Sequence, residues 1–189
     1  MTDSRDWQVV CLSDVPPTPW RNGGGTTREL LAWPRADDWL WRVSVADVVQ
    51  SGPFSSFTGV QRWFAVLQGD GVCLTVDGNT TTLQHGDAPF AFNGGAATDC
   101  ELLGGPTQDF NFMLKGQASG RMLRVSQGFE MVIKTPKIIA AYAYQSGASV
   151  QFLHKKFPLN AYELGWVRVA GQTAVRVDDG NVLLMEIDT

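Results

Sequence analysis

Three arginines, Arg28, Arg42 and Arg62, stand inside otherwise apolar stretches rather than in charged runs. A guanidinium stays ionised where it is desolvated and presents a planar fork of donors that fits a carboxylate. Two of them pointing into one cavity would hold a small anionic molecule. The competing arrangement is internal, with the same arginines paired to Glu29 and Asp109 as struts, because a buried charge must be paired. Glu29 and Asp109 are also the weak candidates for acid/base catalysis, a role that needs one carboxyl pKa raised by burial. Asp109 with Asn22, Ser44 and Asn111 completes the candidate ligand-binding set, the last three as uncharged groups in the same stretches that would orient a ligand by hydrogen bonds.

Other chemistries find less support. Trp20-Arg21-Asn22-Gly23-Gly24-Gly25-Thr26-Thr27 carries three consecutive glycines, which free the backbone to turn sharply or to approach a ligand. A phosphate cradle would need a lysine and a following helix, and neither is present, so a structural turn is expected. The two histidines, His85 before Gly86-Asp87 and His154 before Lys155-Lys156, have no ligand-like neighbours, so neither a metal nor another cofactor is expected. No GxSxG elbow exists, and the three cysteines, Cys11, Cys73 and Cys100, are far apart and fit free thiols packed among apolar neighbours. Trp33, Trp39, Trp41 and Trp63 would suit a sugar-stacking platform but more often fill a β core, which is the reading favoured here.

The elements that must position these groups are strands. Short runs rich in β-branched and aromatic residues recur between Gly, Asp and Asn at 7–12, 26–33, 40–48, 61–68, 71–76, 80–84, 88–92, 99–103, 108–115, 121–126, 138–144, 149–154, 162–169, 172–177 and 181–187. No segment shows a helical stripe, and 20 glycines suit a chain of tight turns. An all-β sandwich or barrel is therefore expected. Asp77-Gly78 between Val72–Val76 and the threonines 80–82 is the clearest hairpin. Val169-Ala170-Gly171-Gln172 and Asp179-Gly180-Asn181 echo that region weakly, so two related β units are expected, the second trimmed, with a break within 115–135 and tight packing of the halves.

Alternation then assigns faces. Along Trp41-Arg42-Val43-Ser44-Val45-Ala46, the polar residues Arg42 and Ser44 oppose Trp41, Val43 and Val45; along Asp109-Phe110-Asn111-Phe112, the two polar residues oppose the two phenylalanines. Such a polar face lies either in water or in a barrel lumen. The second placement puts Arg28, Arg42, Asp109 and Asn111 in one polar cavity.

Trp20–Glu29, Trp41–Ala46, Gly52-Pro53-Phe54-Ser55-Ser56-Phe57 with Gly59, Val60 and Arg62, and Gly104-Gly105-Pro106-Thr107 with Asp109–Met113 together resemble the HutD/Ves family, in order, over residues 7–115. The resemblance implies an all-β cupin fold in a bicupin arrangement with little helix: a cupin-like barrel over 1–115 and a smaller β unit over 116–189, the first strand pairing with either half. It also implies an association with histidine utilisation. Cupins that bind metal present a His-x-His pair where this chain reads Pro53-Phe54-Ser55-Ser56-Phe57, which keeps the expectation metal-free.

A net charge of −4 argues against a nucleic-acid surface, and the polar start, with no long apolar run after it, leads to an expectation of a cytoplasmic protein without membrane contact. The partner expected is a small anionic metabolite, with homodimerisation left open. Lacking a recognisable catalytic constellation, the chain reads as a binding or regulatory protein. A metal-free isomerase or hydrolase acting on a small acidic metabolite is the alternative.

Overall fold

The computed structural model describes residues 7–152 and 155–188, so His154 lies outside the described residues. Regular structure is all strand apart from one 3-10 turn at Leu12–Asp14, as the period-two patterning and the glycine spacing lead one to expect. Among the described residues no helix is long and apolar enough to cross a membrane. The chain divides into two compact units, one formed by Val15–Gln117 and the other by the residues up to Asp14 together with those from Ala118 onward.

In the Val15–Gln117 unit the strands are β2 (Thr18–Pro19), β3 (Gly25–Pro34), β4 (Trp39–Val48), β5 (Gly52–Pro53), β6 (Val60–Gln68), β7 (Val72–Val76), β8 (Asn79–Leu83), β9 (Phe90–Asn93), β10 (Thr98–Leu102) and β11 (Thr107–Lys115); β1 (Gln8–Cys11) belongs to the other unit. They form a six-stranded sheet in the order β2-β3-β4-β11-β6-β9 and a four-stranded sheet in the order β5-β10-β7-β8. Asp77 and Gly78, at φ 46° and 81°, close the β7–β8 hairpin with both central residues in the left-handed region, as a two-residue turn requires. Phe64 and Val66 of β6 meet Val72, Leu74, Leu83, Phe92 and Cys100 in one apolar cluster, so strands of both sheets share a core.

The second unit repeats this topology. Its strands are β12 (Ser119–Ser126), β13 (Glu130–Ile133), β14 (Lys137–Ala143), β15 (Ala148–Phe152), β16 (Lys155–Leu159), β17 (Glu163–Val169), β18 (Thr173–Asp179) and β19 (Asn181–Asp188). The orders β12-β19-β14-β17 and β13-β18-β15-β16 match β4-β11-β6-β9 and β5-β10-β7-β8 strand for strand, and β1 is added beside β17.

The weak echo at Asp179-Gly180 does not align with the β7–β8 hairpin, because Asp179-Gly180 carries the chain from β18 to β19, which lie in different sheets; the counterpart of that hairpin is β15–β16. Among the described residues β2 and β3 have no counterpart in the second unit. Four short or edge strands, β2, β5, β13 and β16, escaped the pattern search, β16 because Pro158 reads as a breaker, although an edge strand tolerates proline.

Candidate functional site

The six-stranded sheet of the Val15–Gln117 unit turns one face toward a cavity of about 730 Å³. Register explains which side chains reach it. Glu29, Ser44, Asn111 and Phe64 are cross-strand neighbours on β3, β4, β11 and β6; one row along, Arg42, Met113, Arg62 and Phe92 are neighbours on β4, β11, β6 and β9. Strand alternation therefore delivers a polar group from each of four strands to one concave surface. Six of the candidate residues, Asn22, Glu29, Arg42, Ser44, Arg62 and Asn111, line the cavity.

Arg62 is the distinctive member. It is only 5% exposed, one Nη donates to Asn111 Oδ1 at 2.6 Å, and its Nε has no hydrogen-bond partner. Its guanidinium lies 5.0 Å from the Phe54 ring centre, 5.8 Å from Phe57 and 5.1 Å from Phe92. Among the described residues no carboxylate pairs with it. Burial first, and the charge of Arg42 second, lower its pKa to about 10, so it remains a cation at neutral pH. The aromatic faces offset part of the desolvation. The missing counter-ion is the feature a buried arginine does not normally tolerate.

The other two candidate arginines, Arg28 and Arg42, are paired. Arg42 Nε donates to Glu29 Oε2 at 2.5 Å while the side chain still lines the cavity, so Arg42 is strut and lining group together. Arg28 is a correction: it stands opposite Val45, on the other face of the sheet, where its Nη1 donates to Asp47 Oδ2 at 2.7 Å. Asp109 is a second correction. It shares the face of Asn111, yet it is fully buried, outside the cavity lining and without an arginine partner; Thr107 Oγ1 donates to its Oδ2 at 2.8 Å and its Oδ1 has no partner. Burial, opposed by the Thr107 hydrogen bond and assisted by Asp47, raises its pKa to about 7.

The glycine run is a structural turn that builds one wall. Gly23 N–H donates to Trp20 C=O at 3.1 Å and Gly24 N–H to Asn22 Oδ1 at 3.0 Å, so these amides are spent inside the loop rather than free for a phosphate. Trp20 Nε1 donates to Thr27 Oγ1 at 2.7 Å, and its ring meets Phe54 edge-on at 6.4 Å. Sequence reasoning missed this aromatic surround of Trp20, Phe54, Phe57 and Phe92. The spacing of Phe54 and Phe57 was its only local signal, since Phe92 arrives from a strand distant in sequence.

On β19, the counterpart of β11, Val182 and Leu184 belong to an apolar cluster with Ile139 and Ala141, while Glu186 is ion-paired with Arg121 and Lys137. His85 lies in the turn before Gly86. Cys100 is buried, but Cys11 and Cys73 are only half-buried, Cys73 because it alternates with the inward Val72 and Leu74; all three thiols are free. Trp41 is fully buried and stacks on Trp33 at 6.4 Å, which supports the core reading for those two rings.

Comparison with known proteins bears on this architecture. The HutD family pattern matches residues 12–185. An uncharacterised 21.2 kDa protein from the hutC 3′ region of Pseudomonas putida is 37% identical over 145 residues, 76% of each chain. A conserved protein of unknown function from Pseudomonas aeruginosa PAO1 superposes with a TM-score of 0.88 at 29% identity, covering 97% of this chain and 100% of its own. HutD from Pseudomonas fluorescens SBW25 superposes at 0.79 with 30% identity, covering 96% and 98%. The all-β cupin fold extends to Bacillus subtilis oxalate decarboxylase, at a TM-score of 0.62 and 10% identity over 95% of this chain and 76% of that one.

Proposed function

The chain belongs to the HutD family, and from that premise we propose that it is a binding protein whose Val15–Gln117 cavity holds a small carboxylate-bearing metabolite, in a regulatory or accessory role in histidine utilisation. The observation that carries this reading is Arg62: a buried guanidinium, aimed into a cavity, with donors to spare and no carboxylate among the described residues to take them. A carboxylate ligand would supply the missing counter-charge, with Asn111 holding the guanidinium in place. The family and the hutC-region relative support the link to histidine breakdown. No metal or cofactor is needed for such binding.

The enzymatic alternative draws on Asp109, whose pKa near 7 suits an acid/base group. Its full burial outside the cavity lining counts against that role, because a general acid must reach the proton it moves. Glu29 lines the cavity but is committed to Arg42.

The test is a thermal-shift screen of histidine and its breakdown carboxylates against the intact protein. A ligand that binds only the folded state at a hundred times its Kd stabilises by about 2.7 kcal/mol, enough to move the melting temperature clearly. The reading requires at least one carboxylate to do so, and the response to vanish in Arg62→Met. A response of equal size in that variant would remove Arg62 from the site, and turnover of the compound by the wild type but not Glu29→Gln would favour the enzyme.

A further inference from the structure

Binding one carboxylate at Arg62 leaves Arg42 half explained. Arg42 and Arg62 both stand opposite Met113, one on each neighbouring strand. Adjacent strands are about 4.8 Å apart, so the two Cα atoms lie roughly 10 Å from each other, with both side chains in the same concavity. The charges feel each other, since Arg42 depresses the ionisation of Arg62. Glu29 occupies only the Nε of Arg42; the remaining contact of that guanidinium is a long one from Nη1 to Met113 Sδ at 3.8 Å. Both η nitrogens thus lack an oxygen partner among the described residues. The charged lining of the cavity is Arg21, Arg42 and Arg62 against the single carboxylate Glu29, two positive charges in excess. Like charges held in a partly dry site repel unless an anion joins them.

Resting on the carboxylate reading above, we propose that the cavity is selective for a dianion: a short dicarboxylate, one end on Arg62 and Asn111 and the other on the free η nitrogens of Arg42. Glu29 is the positioning residue, because its hold on Nε fixes the plane of the Arg42 fork. A monocarboxylate satisfies the inner arginine and leaves the η nitrogens of the outer one, already ion-paired with Glu29 through Nε, without an oxygen partner. The strand spacing favours carboxyl groups separated by a chain of a few carbons rather than directly joined.

Isothermal titration of the intact protein at pH 7 and constant ionic strength, with the C3 to C6 linear diacids each set against the monoacid of equal length, reads this directly. At least one diacid is expected to bind roughly tenfold or more tighter than its monoacid, the effect of one additional charged hydrogen-bonded contact. Arg42→Gln should cancel the preference, so that diacid and monoacid bind this variant equally. Arg42→Lys, which keeps the charge and lacks the fork, should retain part of the preference and serves if the first variant fails to fold. Arg62→Gln should lose both acids. Equal binding of diacid and monoacid through the series, or a diacid preference that survives Arg42→Gln, overturns the proposal while leaving the carboxylate reading standing. Failure of every acid to bind overturns both.

Discussion

Arg62 holds a full charge where water is nearly excluded and no carboxylate among the described residues answers it, an arrangement that costs stability. Arg62→Met should therefore leave the ligand-free protein at least as stable as the wild type, the methionine packing among Phe54, Phe57 and Phe92, while abolishing the response to carboxylates. Urea melts with and without ligand separate the two effects; a strongly destabilised variant would mark Arg62 as a structural group. Asp109 gives a pH signature. Its pKa in the folded chain is raised from 3.8 to about 7, so the folded state holds this proton more tightly than the unfolded one. Its contribution to stability is complete below pH about 4, falls as pH rises, and is lost above about 7. Asp109→Asn, neutral throughout, should lack that fall. Urea midpoints at pH 5 and pH 8 decide it: if the difference between wild type and variant is the same at both, Asp109 does not titrate in this window.

At the scale of elements, alternation and register decide what each residue can do. Arg28 and Arg42 differ in role because Arg28 pairs with Val45 and Arg42 with Met113, on opposite faces of one sheet. Arg28→Met should accordingly lower stability by about 1 kcal/mol or less, as partly exposed ion pairs do, without touching ligand affinity. A loss of binding in that variant would contradict the face assignment. Close approach of strands sets a second test. A Cβ at Gly25 would run into the Asp47 carbonyl, backbone that cannot swing away. Gly25→Ala is expected to cost about 1–3 kcal/mol in a denaturant melt, as overpacking does, and to weaken binding by shifting the Trp20–Asn22 wall. An unchanged midpoint would mean that the β3–β4 pairing opens at no cost. In the other unit, β1 pairs along β17, and Trp7 packs with Phe152 and Phe157. Short as it is, β1 joins chain ends far apart in sequence.

Across the whole molecule, two units with one topology have diverged in what fills the corresponding face. One carries Val182, Leu184, Ile139 and Ala141 with Glu186 already ion-paired; the other carries Arg62 without a counter-ion. Carboxylate binding should therefore saturate at one equivalent per chain, read as the stoichiometry of a titration calorimetry curve. Two equivalent sites per chain would show that the paired unit binds as well.

The sequence by itself determined the strand content, the β7–β8 hairpin and the family, because these rest on period-two alternation, turn chemistry and local motifs that act over a few residues; of the four residues it put in one polar cavity, Arg42 and Asn111 line it and Arg28 and Asp109 do not. It did not determine which arginine is free. That depends on the register of β3 against β4 and of β11 against β6, where a shift at Glu29/Leu31 and another at Gln108/Asp109 break simple counting along the strands. Nor could it separate the buried Asp109 from the cavity-lining Asn111 two residues on, since both lie on one face and differ only in depth. The repeat was legible as a suspicion but aligned wrongly, because Asp-Gly turns recur at connections of different kinds and only strand order tells a hairpin from a crossing between sheets. Whether a buried charge finds its partner within the chain is a property of packing between residues distant in sequence, and tertiary structure alone decides it.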